Sequence, residues 1–486
     1  MNFLNAMVNL SNNFETFLKD AENAALTFKS LKPHRVRLVS HLDADGISSS
    51  AILVKMLNKE GILYNLSIVQ KINTTLLNVV KKDSSEVVIF SDLGSGNLEE
   101  IKETLKDKKA VFILDHHEIE LDNLELPSNI FLVNPHKQGI DGNSEISGSG
   151  VSYWFSYFVN DSNKELAYLA IIGAIGDIQE NNGFIGLNEI IKQHAIQSGK
   201  LIEKPGLKIY GSHSRPLHKL LEYSTDPYIP GVSGSESNAI QFLKRLNIPL
   251  QNKDGSWKKF VDLSEDEKKR LISGLVMLLA NTRDDPEQII GPVYEITEEP
   301  LSSQLRDARE FATFLNACGR LGKASIGIAV CLNNERLKKR SNQVLLDYKK
   351  EIIRMMRWFR ANQDNPEYVI RGNNYLIVNG KENIRHTMIG TFASILSKSL
   401  NTEDDLMILT LAQIPEENLI KASLRSTKEN SNLKEIIQQI SERLGINEFG
   451  GHKNAAGAFV PIEKEEQFLE HAQRVLSLMA IEEKID

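Results

Sequence analysis

Cysteine is nearly missing from this chain: Cys318 and Cys331 are the only two among 486 residues. Two thiols build neither a disulfide framework nor a thiolate zinc site, and they fit a reducing compartment, so a cytoplasmic protein is expected. Long apolar runs are missing too. None reaches the ~18 residues of a membrane-crossing helix, which excludes a membrane partner on this reading. The first twenty residues lack the basic-then-apolar pattern of a secretory leader. Positive charge is short, with 57 Lys and Arg against 64 Asp and Glu, a net −7. That argues against a protein that wraps nucleic acid through bulk basic charge, and confines any phosphate contact to a local groove.

The length exceeds one ordinary core and predicts two or three domains. Residues 1–34 read as an N-terminal helix, with Phe14, Phe17, Leu18, Ala24, Ala25 and Phe28 at helical spacing and Pro33 behind them. Residues 35–195 alternate strands with helices, which predicts a mostly parallel sheet with right-handed crossovers. Residues 196–300, broken by Pro205, Pro216, Pro227 and Pro230, read as a helical connecting or inserted region. Residues 301–486 resume an α/β pattern, including an expected strand over Ser325-Cys331. The fold class is therefore α/β: a mostly parallel first domain and a smaller α/β second domain, joined by a helical region.

The chemistry collects where apolar segments end. Arg37-Leu38-Val39-Ser40 runs into His41-Leu42-Asp43-Ala44-Asp45-Gly46, and Val87-Val88-Ile89-Phe90 into Ser91-Asp92. Ala110-Val111-Phe112-Ile113-Leu114 runs into Asp115-His116-His117, and Leu169 to Ile175 into Gly176-Asp177. In open α/β sheets that edge is where ligands bind. Read as extended chain, His41, Asp43 and Asp45 share one face. Five carboxylates and three imidazoles so placed would repel without cations, and two divalent ions resolve this, with Asp92 the candidate bridge. The mixed oxygen and nitrogen set favours Mn²⁺ or Mg²⁺ over zinc. A lone Asp behind a strand is commonly a helix cap, so the ordered combination carries the reading.

These four phrases resemble the motifs of the DHH phosphoesterase superfamily. The resemblance implies that His41, Asp43, Asp45, Asp92, His116 and Asp177 are metal ligands for two ions, Mn²⁺ or Mg²⁺. It implies that Asp115 and His117 support catalysis, one of them near the scissile phosphate. Ser147-Gly148-Ser149-Gly150 also resembles the family, and makes Ser149 and Gly150 candidates for a phosphate cradle at a helix start. Gly450-Gly451-His452, Asn316-Ala317-Cys318-Gly319-Arg320 and Ser423-Leu424-Arg425-Ser426 resemble the DHH-associated domain. They imply substrate roles for Asn316, Arg320, Arg425, Gly450, Gly451 and His452, with Arg425 forking onto a phosphate.

Ser214-Arg215-Pro216-Leu217 and Asn281-Thr282-Arg283-Asp284-Asp285-Pro286 look like the archaeal RecJ-like branch, with Arg215 and Arg283 as candidate backbone-phosphate contacts. The activity so implied is exonucleolytic hydrolysis of single-stranded DNA or RNA in DNA replication or repair. One alternative is cleavage of short oligoribonucleotides or cyclic dinucleotides. Another is a replisome scaffold bound to the GINS complex beside the replicative helicase. A scaffold has no need of the metal set, and every expected ligand is present here.

Overall fold

The computed structural model describes residues 12–119, 125–180, 183–224, 227–280, 286–400, 405–428 and 432–482. Arg283 lies outside them, as do the start of the expected N-terminal helix and the side chain of His452. The chain forms two compact units, residues 1–344 and 345–486. Sequence reading placed the change of domain near residue 301; residues 301–344 instead belong to the first unit.

The first unit begins with α1 (Asn12–Leu31), β1 (Arg35–His41), α2 (Ala44–Lys59), β2 (Leu63–Val69), α3 (Thr74–Lys82) and β3 (Val87–Ser91). It continues through α4 (Leu98–Thr104), β4 (Ala110–Leu114), β5 (Ile130–Val133), α5 (Gly148–Val159), α6 (Ala167–Gly176) and α7 (Gly186–Gln197). The five strands form one parallel sheet in the order β2-β1-β3-β4-β5. β3 and β4 are buried along their whole length, which is why they read as unbroken apolar runs rather than alternating ones. Because β1 lies between β2 and β3, successive crossovers leave it in opposite directions. A crevice therefore opens at the carboxyl ends of β1 and β3. Register brings Ser40 beside Ser91, and Ser91 beside Leu114, so the residues that follow each strand end up as neighbours. α1 is part of this core: Phe28 meets Phe112 and Phe155 edge-on at 5.7 and 5.6 Å. Each such pair adds about 0.5–1.5 kcal/mol beyond burial.

Next come β6 (Leu201–Leu207), α8 (Leu217–Glu222), α9 (Glu236–Arg245), α10 (Glu265–Leu279) and β7 (Ile290–Ile296). The three helices enclose their own apolar core, including Leu220, Leu243, Leu271 and Leu275. β6 and β7 were not expected from sequence, because Pro205-Gly206 and Gly291-Pro292 interrupt both patterns. They pair as an isolated antiparallel ribbon with Pro205 opposite Pro292. A two-stranded ribbon has only edges, so proline costs it little.

α11 (Ala308–Arg320), α12 (Ala324–Cys331) and α13 (Glu335–Lys338) follow, and α14 (Ser341–Asn362) crosses the division between units. The expected strand Ser325-Cys331 is the helix α12. Short apolar runs carry no period that separates strand from buried helix. Here Gly327 lets the run pack as a helix against Leu315, Cys318 and Ile47.

The second unit holds β8 (Val369–Arg371), β9 (Tyr375–Asn379), α15 (Ile389–Ser399), β10 (Met407–Ile414) and β11 (Leu419–Ser426). α16 (Leu433–Glu442), β12 (Phe449–His452), β13 (Ala455–Pro461) and α17 (Glu465–Glu482) complete it. Its sheet runs β12-β13-β11-β10-β9-β8 and is antiparallel except for β9 with β10. Met407, Leu409 and Leu411 face the α16–α17 core, while Thr410, on the other face, donates to the Ile389 carbonyl of α15 at 3.2 Å. The protein is thus a two-domain α/β fold, with a parallel sheet and a helical region in the first unit and a smaller α/β second unit. Among the described residues, no helix is long and apolar enough to cross a membrane.

Candidate metal centre

The first motif folds as a strand-to-helix turn, not as the extended strand expected from alternation. Asp43 caps α2, its Oδ1 accepting from Gly46 N at 3.0 Å, and Asp45 already lies in the first helical turn. Gly46 allows so tight a turn because a Cβ there would sit 2.3 Å from the His41 carbonyl oxygen. His41 Nδ1 then lies 2.8 Å from Asp43 Oδ2 and 3.6 Å from Asp92 Oδ2. Asp92 follows β3 with φ +58°, a left-handed conformation that aspartate tolerates better than most residues. His116 Nε2 lies 3.3 Å from Asp92 Oδ1, 3.3 Å from Asp177 Oδ2 and 3.9 Å from Asp45 Oδ2.

Ligand atoms of His41, Asp43 and Asp92 lie within 4.8 Å of one another, as do those of Asp45, His116 and Asp177. Asp92, His116 and His117 form a third such group, so Asp92 and His116 connect the others. Five atoms here are buried without a hydrogen-bond partner: His41 Nδ1, Asp45 Oδ2, both Asp92 carboxylate oxygens and His116 Nε2. An orphaned buried polar atom costs ~1–3 kcal/mol, more when charged, and five in adjoining ligand groups fit cations as their missing partners.

The partners of the partners explain why these atoms are free. Ser149 donates from both its N (3.1 Å) and its Oγ to Asp45 Oδ1, leaving Oδ2. Ser149, expected to meet substrate, is thus committed to Asp45. Gly150 is packed, since a Cβ would sit 2.8 Å from Ile146. Gly148 lets the start of α5 close on Asp92, where a Cβ would fall 2.5 Å from Oδ1. Asp115 accepts from Ser95 N at 2.8 Å, His116 N at 2.9 Å and the His117 ring at 2.7 Å. Ser91 Oγ donates to Ser40 Oγ at 2.8 Å, lacing the ends of β1 and β3. These serines carried no sequence signal beyond their place at a strand end.

Electrostatics agree with a cation site. Burial, with Asp92 adding repulsion, pushes the Asp45 carboxyl up to about 7. Burial, then Asp45, raises Asp177 well above the usual carboxylate range. Burial alone would lower the imidazoles, but Asp43 and Asp92 raise His41, and Asp92 and Asp177 raise His116. All four groups hold a proton that a metal must displace. Mn²⁺ affinity should therefore climb through pH 6–7 as Asp45 ionises, by about tenfold per unit for each proton released, and keep rising above pH 7 as the imidazoles deprotonate. Calorimetric titration at pH 6 in two buffers of different ionisation enthalpy checks this. Equal apparent heats would mean no proton leaves.

The motif Asn316-Ala317-Cys318-Gly319-Arg320 lies on α11 in the first unit, not in the second. Asn316 Oδ1 accepts from Ala44 N at 3.0 Å, so it braces the metal loop. A Cβ on Gly319 would stand 1.6 Å from the Leu42 carbonyl oxygen. Arg320 ends α11 and is half-buried. Arg215 stacks on Tyr210 and Tyr223, at 4.7 and 5.7 Å from the ring centroids. In the second unit Arg425 donates to Ser394 Oγ, Ser423 Oγ and the Leu424 carbonyl. Gly450 is open, while Gly451, at φ +135°, lies in the β12–β13 pairing.

Clustered carboxylates and imidazoles at the switch point of a parallel sheet fit a site for divalent cations. Residues 35–174 match the DHH family N-terminal domain, 209–289 the DHH-CID domain and 372–478 the DHHA1 domain. The uncharacterized protein MJ0831 of Methanocaldococcus jannaschii is 30% identical over 451 residues, 91% of this chain and 93% of that one. The chain belongs to the DHH family, whose members are phosphoesterases.

Two solved structures share the fold. RecJ of Thermus thermophilus in complex with Mn²⁺ has TM-score 0.57 and 16% identity, covering 94% of this chain and 55% of its own, so this chain spans about half of that protein. CDC45 of Entamoeba histolytica has TM-score 0.60 and 13% identity, covering 96% and 98%.

Proposed function

We propose that the protein is a metal-dependent exonuclease that removes nucleotides from an end of single-stranded DNA or RNA, serving DNA replication or repair. Five orphaned buried ligand atoms, spread over adjoining ligand groups, carry this reading. His41, Asp43 and Asp92 would hold one Mn²⁺ or Mg²⁺ and Asp45, His116 and Asp177 a second. Bound ions supply charge for the phosphate oxygens and a water acidic enough to attack phosphorus. The likeness to a RecJ solved with Mn²⁺ supports the choice of metal. The RecJ-like motif set supports the single-strand substrate.

The chain's own contribution to proton transfer falls to His117. Its Nδ1 donates to the Asp115 carboxylate at 2.7 Å, and its side chain is 42% exposed where His116 is buried. Burial lowers its basicity, but Asp115 more than compensates and raises it. His117 thus keeps a proton on Nε2 for the leaving oxygen. His117→Gln should retain metal binding while lowering kcat by about 10²–10⁴-fold and flattening the alkaline limb of the pH–rate profile. An unchanged profile would remove His117 from proton transfer.

In the second unit Arg425 sits by the first turn of α15, a place suited to a phosphate. Whole-chain hydrolysis assays with Mn²⁺ and 5′- or 3′-labelled DNA and RNA strands, beside His116→Ala, test the reading. End-first shortening by the wild type alone supports it; activity confined to dinucleotides would make the substrate a short oligonucleotide. Inert wild type would favour the scaffold reading, whose implied partner, GINS, is testable by co-purification.

A further inference from the structure

The Gly142 carbonyl receives two donors. His116 Nδ1 reaches it at 2.6 Å and Gln179 Nε2 at 2.9 Å, while Gln179 Oε1 accepts from Asn188 Nδ2 at 2.7 Å. Gln179 is 5% exposed and Asn188 1%. The chemistry admits one assignment throughout. A carbonyl only accepts, so the amide nitrogen of Gln179 must face Gly142, its oxygen must face Asn188, and Asn188 must present nitrogen. By the same rule His116 donates from Nδ1, which leaves Nε2 as the ligand atom.

Gln179 reaches this position through an unusual turn. α6 ends with Asp177, and Ile178 then takes φ +61°, a conformation that a β-branched residue rarely adopts. Ile178 N returns to the Ile175 carbonyl and Gln179 N to the Ala174 carbonyl, closing the helix end. One short segment therefore supplies Asp177 directly and anchors His116 through Gly142. Those are the two ligands grouped with Asp45, and neither belongs to the group of His41, Asp43 and Asp92.

We propose that Gln179 and Asn188 are positioning residues for one ion only, the one held by Asp45, His116 and Asp177. They fix the His116 tautomer and ring plane through the shared carbonyl. This inference rests on the metal-centre reading above.

The test is Mn²⁺ titration of the full chain, following the paramagnetic resonance signal of the free aqua ion. Wild type should bind two ions. Gln179→Met, close in shape and without the amide, should weaken one ion by about 10–100-fold and leave the other unchanged. Asn188→Ala, which leaves Gln179 in place, should weaken the same ion less. Ring-¹⁵N histidine spectra of the metal-free variants, taken at a pH high enough to make the His116 ring neutral, should show its Nδ1-protonated tautomer diminished. Wild type binding fewer than two ions would overturn the metal-centre reading itself. Wild type binding two, with both weakened together or neither weakened in the variants, would overturn the inference alone.

Discussion

Asp92→Asn is expected to abolish turnover, by about 10³-fold or more, and to make the metal-free protein less stable at pH 6. Asp92 is 2% exposed, both its oxygens lack partners, and it joins two of the three ligand groups. On the proposed reading, losing a carboxylate shared by two ligand groups would remove several kcal/mol of transition-state charge stabilisation, and about 4 kcal/mol corresponds to ~10³ in rate. At pH 6 the carboxylate stands 3.3 Å from His116 Nε2 and 3.6 Å from His41 Nδ1 and raises both imidazoles, so it stabilises their charged forms, while Asp45 is largely protonated and repels it little. Asparagine keeps the shape and tolerates the left-handed φ. Thermal melts in chelator, read beside turnover in Mn²⁺, check both signs. An unchanged or higher melting temperature without metal would show that repulsion from Asp45 and Asp177 outweighs the contacts to the two imidazoles.

Gly319→Ala is expected to damage the metal loop from a distance in sequence. The added methyl would stand 1.6 Å from the Leu42 carbonyl oxygen, a backbone atom with no rotamer to yield. Either α11 shifts away, stripping Asn316 from Ala44, or the His41–Asp45 loop moves. Overpacking against a flexible side chain costs ~1–3 kcal/mol, and backbone opposition puts this substitution at about 3 kcal/mol or above. Denaturant unfolding should show that loss together with weaker Mn²⁺ binding. A loss of stability with Mn²⁺ affinity intact would mean that α11 moves without disturbing the loop.

The strand exits were legible in sequence because each places its chemistry immediately after a buried run: Ser91-Asp92 behind β3 and Asp115-His116-His117 behind β4. Parallel register then brings them together. What stayed hidden was non-local. Asn316 and Gly319 gain their roles only when α11 docks on a loop 272 residues earlier in the chain. Gln179 and Asn188 act through a backbone carbonyl, which no sequence pattern marks. β6 and β7 escaped notice because Pro205 and Pro292 contradict strand propensity while costing a free ribbon little. α12 was mistaken for a strand because eight mostly apolar residues satisfy either geometry.

The ribbon has one more consequence. β6 and β7 bring Leu207 opposite Ile290, so the helical region between them starts and ends at one paired ribbon within the first unit. During synthesis all six proposed ligands emerge before that region, and the brace from Asn316 emerges after it. A nascent chain stalled at the ribbon would carry every metal-binding group without the support that holds them. The loop that carries His41, Asp43 and Asp45 is therefore completed only by a segment made after the whole helical region.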